Sequence, residues 1–238
     1  MMNVNHKSSE KKGQERFYSE SPGDPRKMVN AETEHALIGL YRNMVILLPD
    51  AKSRVIQFMA SRRGEGTSTL IREFAKVAAL KLGKTVLLVD ADPNHSGHAE
   101  IFNVSRKPGW EETCKNGASV SESLCQVGET SLFVSCFSRN SDCPSVISEF
   151  TWIETFLGEL RQKFDLILID FPPPGSHAES LLLTHTLDGV VLVVETEKSR
   201  WQVLEKMKKR IANQGVNILG VILNKRRYPI PKFIYDRI

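Results

Sequence analysis

The chain has 238 residues, enough to bury a sizeable core in one α/β domain with an additional arm. Hydrophobic residues at 41% and charged residues at 25% are ordinary globular values, and a formal net charge of +4 is too small to indicate nucleic-acid binding without a concentrated basic patch. The four cysteines lack C-x-x-C spacing, which argues against a metal site and favours free thiols in a reducing cytosol.

The N-terminus lacks an apolar signal core, and no apolar run approaches the roughly 18 residues of a membrane span. We therefore expect a cytoplasmic protein that contacts a membrane only through a partner. Residues 1–30 are polar and charged, and they predict a disordered arm. Apolar periodicity from 31 to 48 predicts a helix that ends before Pro49, so the folded domain is expected to span 31–238.

A glycine-containing turn follows the first predicted strand, at 54–60. It reads Ser-Arg-Arg-Gly-Glu-Gly-Thr-Ser-Thr over 61–69 and leads into an amphipathic helix that ends near Gly83. A strand, loop and helix of this kind are typical of a P-loop, in which backbone N–H groups and the helix N-terminus hold phosphate oxygens. A lysine that reaches the β- and γ-phosphates normally stands at position 67, where this chain has Thr67.

Strand and helix patterns alternate through the rest of the chain. Further strands are predicted at 85–90, 165–170, 189–195 and 217–224, and helices at 146–163, 176–187 and 201–214. Residues 94–145 carry little pattern apart from a short strand at 131–135. The alternation predicts a single α/β domain with a mostly parallel sheet and helices on both faces.

Acidic side chains end two of the buried strands. Asp90 and Asp92 close the strand at 85–90, and Asp170 ends the strand at 165–170. Because the carboxyl ends of parallel strands open onto the ligand crevice, we expect these side chains to lie near the phosphate loop. Ser68 stands just after the loop glycines, where such sites hold Mg²⁺ with a hydroxyl.

The motifs occur in the order found in one subclass of P-loop proteins. The loop at 60–69 resembles the Walker A motif of the bacterial tyrosine kinases, 89–92 resembles their Walker A′, and 168–173 resembles their Walker B. The strand that ends in Asn224 is similar to the one whose asparagine contacts adenine. Over residues 31–238 the chain thus resembles the bacterial tyrosine kinase (BY-kinase) family of capsular and exopolysaccharide biosynthesis, a ParA/MinD-related family, with a degenerate Walker A motif.

The resemblance implies a site for ATP or ADP and Mg²⁺. Ser68, Asp90 and Asp170 are the implied metal residues. The implied cofactor-binding residues are Gly64, Glu65, Gly66, Thr67, Ser68, Thr69 and Asn224. Phosphoryl transfer depends on positioning and charge neutralisation, and hydroxyl, carboxylate and amide groups suit both tasks.

The implied catalytic residues are Asp92, Asp90 and Arg62. Asp92 is the candidate base toward an incoming hydroxyl, and Arg62 occupies the position of a lysine that crosses into the partner's site in ParA/MinD relatives. Thr67 lacks the positive charge that the transition state needs, and Arg62 or Arg63 is a candidate to replace it. Solvent exposure of both arginines is an equally good interpretation.

The C-terminal tail, 225–238, departs from the family's tyrosine cluster, because it holds only Tyr228 and Tyr235. Their apolar neighbours favour packing or docking over phosphate acceptance. Implied partners are a membrane polysaccharide co-polymerase or chain-length regulator, which would recruit the chain to the inner face of the cell membrane. A homo-oligomer remains open, and no nucleic acid is expected.

Three functions remain in view. The first is a nucleotide-binding, tyrosine-kinase-like regulator of exopolysaccharide or capsule biosynthesis or export, with catalysis weakened by the missing lysine. The second is an active protein-tyrosine autokinase in which arginine replaces that lysine and ATP phosphorylates Tyr228 or Tyr235. The third is a ParA/MinD-like positioning ATPase. The loop and the tail favour the first.

Overall fold

The computed structural model describes residues 29–92, 97–104, 108–138, 150–173 and 186–225, except the side chains of 150–153. The predicted arm lies almost wholly outside these residues, as do the predicted helix at 176–187, of which only 186 and 187 are described, and the tail beyond 225. No helix within the described ranges is both long enough and apolar enough to span a membrane.

Six helices and seven strands follow one another in the described ranges. The helices are α1 (Ala31–Leu47), α2 (Thr67–Leu80), α3 (His98–Ile101), α4 (Trp110–Lys115), α5 (Phe150–Arg161) and α6 (Trp201–Asn213), with a 3₁₀ turn at Val120–Ser123. The strands are β1 (Arg54–Ala60), β2 (Val86–Asp90), β3 (Cys125–Gln126), β4 (Leu132–Ser135), β5 (Leu166–Asp170), β6 (Gly189–Glu195) and β7 (Ile218–Asn224).

The strands form one sheet in the order β3-β4-β2-β5-β1-β6-β7. Every pairing is parallel except that of β3 with β4, which is antiparallel. The predicted mostly parallel sheet is therefore confirmed. Because β1 lies between β5 and β6, the loop that follows β1 leaves the middle of the sheet, with a strand end on either side.

Alternating side chains of β1 enter two apolar layers. Ile56 and Phe58 pack toward α1 and α2, and the Phe58 and Phe74 ring centroids lie 5.7 Å apart. On the opposite face, Val55 belongs to the apolar cluster under α4 and α5, and Met59 to the cluster under α6. All seven residues of β1 are buried, as a strand covered on both faces requires. The sheet thereby holds the loop after β1 on a rigid support.

The region 94–145 contains more structure than its sequence pattern predicts. The strand at 131–135 is confirmed as β4, but α3, α4 and β3 were not predicted. Each of these elements has six residues or fewer, too short to show a periodicity. Burial of Trp110 anchors α4 instead, since its ring contacts Phe137 and Phe156 at centroid distances of 5.6 and 5.9 Å.

Candidate nucleotide-binding site

Five strands place polar and charged residues at the same side of the sheet, where their carboxyl ends lie. Asp90 and Asp170 are directly paired at the ends of β2 and β5, and Glu195 and Asn224 are paired at the ends of β6 and β7. The loop over 61–66 leaves β1 between these two pairs. These strand ends therefore meet on the two sides of the loop, where the sequence predicts a ligand site.

The loop has the backbone of a phosphate-binding turn. Gly64 and Gly66 have φ angles of 85° and 90°, in the left-handed region that favours glycine. α2 begins at Thr67 directly after Gly66, so the first N–H groups of the helix lack intrahelical partners and point toward the loop. Ser68 is exposed beside them, where its hydroxyl is accessible to a metal ion.

Glu65 braces the loop from inside. Its carboxylate is fully buried and accepts hydrogen bonds from Ser61 N at 2.7 Å, Ser61 Oγ at 3.0 Å and Arg62 N at 3.3 Å. Ser199 Oγ donates a further bond to it from the segment after β6. Because the side chain is committed to the loop, any contact of Glu65 with phosphate would come from its backbone.

The acidic side of the loop comprises Asp90, Asp92, Asp170, His98 and Arg72. His98 Nε2 lies 2.8 Å from Asp170 Oδ2, and His98 N donates to Asp90 Oδ2 at 3.4 Å. Arg72 NH1 lies 3.5 Å from His98 Nδ1, and because arginine only donates, Nδ1 accepts and Nε2 carries the proton given to Asp170. Asp90, Asp170 and His98 are all buried.

Two further contacts shape this side. Asp92 N donates to Asp90 Oδ1 at 3.4 Å, and Arg63 NH2 lies 3.6 Å from Asp92 Oδ2. Burial lowers the pKa of Arg72, while the carboxylates of Glu73, Asp170 and Asp90 act in the opposite direction. The 3.6 Å contact between Arg63 and Asp92 connects the loop to the predicted catalytic base. The spacing of these residues in the sequence did not indicate this contact.

The basic side of the loop comprises Arg62, Lys198, Lys225, Glu195 and Asn224. Lys198 Nζ, Arg62 NH2 and Lys225 Nζ lie 2.6, 3.4 and 3.8 Å from the Glu195 carboxylate. The hydrogen bond from Lys198 is the main cause that lowers the pKa of Glu195, and the charges of Lys225 and Arg62 add to it. Arg62, predicted to be catalytic, here contacts two carboxylates of its own chain, since Nε also lies 3.6 Å from Glu65 Oε1.

Asn224 and Lys225 bind the loop directly. Asn224 Nδ2 donates to Glu65 O at 2.8 Å, its Oδ1 accepts from Lys225 N at 2.9 Å, and Lys225 Nζ donates to Gly64 O. Asn224 was predicted as the base-contacting residue, and the structure places it beside the loop at the end of the edge strand. Lys225 was predicted only as the start of a basic tail.

Thr67 occupies the position where a P-loop normally has lysine. The residue is buried, and its Oγ1 has no hydrogen-bond partner among the residues that the structure describes. A buried hydroxyl left unpaired costs about 1–3 kcal/mol. The loop is therefore formed, and Thr67 Oγ1 is an unsatisfied polar atom at the position where a lysine side chain would stand.

The donor set fits a magnesium nucleotide. The Ser68 hydroxyl and the Asp170 carboxylate offer hard oxygen ligands, and Mg²⁺ commonly takes its remaining ligands from phosphates and water. In the described part of the chain, no group of three His, Cys, Asp or Glu residues is placed to hold a metal ion by itself. A cation here would therefore depend on phosphate oxygens for its other ligands.

Five residues of the two sides were missed from the sequence. His98 and Arg72 join the acidic side, and Lys198, Glu195 and Lys225 join the basic side. His98 lies in the segment without periodicity, and Arg72 stands among the helical residues of α2. The one available signal was that Lys225 directly follows a strand end that already carried a predicted ligand.

Comparison with known proteins identifies the family and the relatives of this chain. Residues 54–219, well over half of the chain, match the model of the family described as cellulose biosynthesis protein BcsQ. Tyrosine-protein kinase CpsD of Streptococcus pneumoniae serotype 4 is 29% identical over 189 residues, which cover 79% of this chain and 83% of CpsD.

Solved structures show the same fold. The kinase domain of the Escherichia coli tyrosine kinase ETK superposes with a TM-score of 0.71 at 19% identity, covering 83% of this chain and 78% of that domain. The septum site-determining protein MinD of Pyrococcus horikoshii, complexed with Mg-ADP, gives a TM-score of 0.61 at 22% identity, covering 77% and 76%. With its P-loop fold of the ParA/MinD type and curated relatives that are tyrosine-protein kinases, the chain belongs to the family of the cellulose biosynthesis protein BcsQ.

Proposed function

We propose that this chain is a nucleotide-binding, tyrosine-kinase-like protein that regulates exopolysaccharide biosynthesis or export, with phosphoryl transfer weakened or absent. The observation that carries the proposal is the pairing of a formed phosphate loop with Thr67 at the lysine position. A formed loop supports binding of a nucleotide. A missing cation removes stabilisation of charge in the transition state.

The family supports the biological setting. BcsQ is described as a cellulose biosynthesis protein, and cellulose is an exopolysaccharide. CpsD is described as a tyrosine-protein kinase, so the chain combines a polysaccharide-linked family with kinase-like relatives. We propose that it acts in the cytoplasm, at the inner face of the membrane, through a polysaccharide co-polymerase or chain-length regulator.

The proposed roles of the site residues follow from their positions. Backbone N–H groups over 64–69 would hold the phosphates of ATP or ADP, and Ser68, Asp90 and Asp170 would hold Mg²⁺, which supplies charge neutralisation when bound. Asn224 would contact the base from the end of β7. Asp92, 3.6 Å from the Arg63 guanidinium, would orient an incoming hydroxyl.

The test is calorimetric titration of Mg·ATP and Mg·ADP into the wild type and a Thr67→Lys variant. We expect micromolar binding by the wild type, a free energy of about 8 kcal/mol, and tighter binding by the variant. If the wild type does not bind and the variant does, the chain does not bind nucleotide as such, and the proposal is wrong.

An active autokinase is the second candidate, since the curated relatives include tyrosine-protein kinases. Its acceptors, Tyr228 and Tyr235, lie outside the described residues. Mass spectrometry after incubation with Mg·ATP would detect phosphotyrosine at either position, and Asp92→Asn would abolish it. Absence of phosphotyrosine in the ATP-treated wild type would eliminate this candidate.

A further inference from the structure

Lys225 connects the edge strand to the phosphate loop. It follows β7 immediately, and its Nζ donates to Gly64 O, 161 residues earlier in the chain. Its φ angle is 54°, in the left-handed region that is unfavourable for a residue with a side chain. Strained backbone at a ligand site is often maintained for function, so this placement calls for an explanation.

Lys225 also lies over the next part of the loop. A Cβ atom at Gly66 would stand 3.6 Å from Lys225 Cε and would collide with Asn224 Nδ2. The Lys225 stem and the Asn224 amide therefore cover the stretch from Gly64 to Gly66, whose backbone is the part of a P-loop that approaches phosphate. The ammonium group thus lies at the rim of the predicted phosphate site.

The other cations near the loop have carboxylate partners at shorter range. Arg62 lies 3.4 Å from Glu195 and 3.6 Å from Glu65, and Lys198 lies 2.6 Å from Glu195. Lys225 is 3.8 Å from Glu195, and its short hydrogen bond goes to a neutral carbonyl. Its positive charge is therefore the least neutralised of the three.

The charges of the basic side leave a surplus. Arg62, Lys198 and Lys225 are positive, while Glu65 and Glu195 are negative, so these five side chains carry a formal charge of about +1 at neutral pH. Exchanging a carbonyl oxygen for a phosphate oxygen would convert a neutral acceptor into a charged one, which strengthens the hydrogen bond. The lysine stem has the rotational freedom for this exchange.

We propose that Lys225 supplies to the phosphates of a bound nucleoside di- or triphosphate the positive charge that is absent at Thr67. The inference rests on the proposed nucleotide binding and adds to it the residue that replaces the missing lysine. In the structure, Lys225 Nζ donates to Gly64 O. In the complex it donates to a phosphate oxygen, entering the site from β7 instead of from α2.

The test is a double-mutant cycle of Lys225→Ala and Thr67→Lys, read by calorimetric titration of Mg·ADP and of adenosine. For Mg·ADP, Lys225→Ala is expected to weaken binding by about 10- to 100-fold, because a charged hydrogen bond is lost. Thr67→Lys added to Lys225→Ala is expected to restore the affinity, and in the Thr67→Lys background the loss of Lys225 is expected to matter little. Adenosine, which has no phosphate, is expected to bind all four proteins alike.

Lys209→Ala is the matched control, because Lys209 also pairs with a carboxylate, Glu205 at 2.9 Å, but this exposed pair on α6 includes no residue of the site. It is expected to change Mg·ADP affinity by no more than about twofold. Circular dichroism and thermal unfolding establish that each variant is folded.

Wild-type affinity in Lys225→Ala would overturn the inference while leaving the proposed nucleotide binding in place. An equal loss for adenosine and Mg·ADP, or a loss that Thr67→Lys does not restore, would also overturn it, since Lys225 would then act only by holding the loop. Absence of binding by the wild type would overturn the proposed function, and the inference with it.

Discussion

The two sides of the phosphate loop are built from opposite charges. The acidic side sets the carboxylates of Asp90, Asp92 and Asp170 against two arginines, whereas the basic side sets three cations against Glu195 and Glu65. A site that accepts a magnesium nucleotide needs both characters, carboxylates for the metal ion and cations for the phosphates. In this chain, we propose that the positive contribution comes from the basic side instead of from the first turn of α2.

The sides also differ in how they hold the loop. On the basic side, Asn224 and Lys225 donate to loop carbonyls, so the loop and the end of β7 are directly joined. On the acidic side, the side chains mainly bind one another, and Arg63 crosses to Asp92 at 3.6 Å. Substitutions on the two sides should therefore have different effects. Those on the basic side should change the stability of the loop, and those on the acidic side should change the response of the protein to a metal ion.

Glu65→Ala is expected to have the largest effect, because this buried carboxylate joins the loop to the basic side. Its removal leaves Ser61 N and the Ser199 hydroxyl without their acceptor and Arg62 without one of its two carboxylates. We expect a loss of about 3 kcal/mol in the free energy of unfolding. Urea denaturation monitored by circular dichroism measures it.

Glu65→Gln is the matched control for that change. The amide keeps one acceptor oxygen and nearly the same volume, so about half of the loss is expected. Equal stabilities of wild type and Glu65→Ala would show that the loop is held without this brace.

Gly66→Ala and Gly64→Ala form a pair that isolates the contact between the loop and β7. Both glycines have positive φ angles, so both variants pay for strained backbone, about 1–2 kcal/mol. At Gly66 the new methyl group would also collide with Asn224, whereas at Gly64 it meets no atom within 4 Å. We expect Gly66→Ala to lose about 1 kcal/mol more than Gly64→Ala in urea denaturation, and identical losses would contradict a tight contact.

The acidic side was the part most readily predicted from the sequence. Asp90 and Asp170 each end a continuous apolar run, and such runs identify buried parallel strands whose ends meet. The loop was equally visible, because glycines at fixed spacing between a strand and a helix have a direct geometric meaning. Both features are formed by residues that are adjacent in the sequence, so one sequence is enough to predict them.

The contacts that were missed join residues far apart in the chain. His98 and Asp170 are 72 residues apart, and Lys225 and Gly64 are 161 residues apart. No local pattern marks a histidine in a four-residue helix, and Lys225 had only its position directly after Asn224 at a strand end as a signal. Glu65 was predicted within the loop, yet its bracing role depends on Ser199 from the distant β6 segment.

His98→Ala tests the acidic side with a smaller expected effect. Asp170 loses the donor 2.8 Å away and remains beside Asp90, so we expect the metal-free protein to lose about 1–2 kcal/mol of stability. Thermal unfolding with and without Mg·ADP measures both this loss of stability and the stabilisation that Mg·ADP provides. Stabilisation by Mg·ADP should be larger in the variant, because a metal ion no longer competes with His98 for Asp170.

His35→Ala is the control for that measurement, since His35 is exposed on α1. It should unfold like the wild type in both conditions. A smaller Mg·ADP response in His98→Ala than in wild type would indicate that His98 assists the metal site instead of competing with it.

The pH dependence of stability should report the basic side, with the smallest effect. The pKa of Glu195 is lowered from its ordinary value of 4.5, chiefly by the hydrogen bond from Lys198. Glu195 therefore takes up a proton at higher pH in the unfolded chain than in the folded chain. Its contribution to the free energy of unfolding is complete above the unfolded pKa and is lost as the pH falls through the folded pKa. Lys198→Ala removes the main cause and should lose less stability than wild type in urea denaturation as the pH falls below the ordinary value of 4.5. Lys209→Ala is the control, because its ion pair with Glu205 at 2.9 Å is exposed on α6, and it should follow the wild-type curve.

Parallel curves for wild type and Lys198→Ala would mean that Arg62 and Lys225 alone maintain the charge of Glu195. The basic side would then keep its character without Lys198.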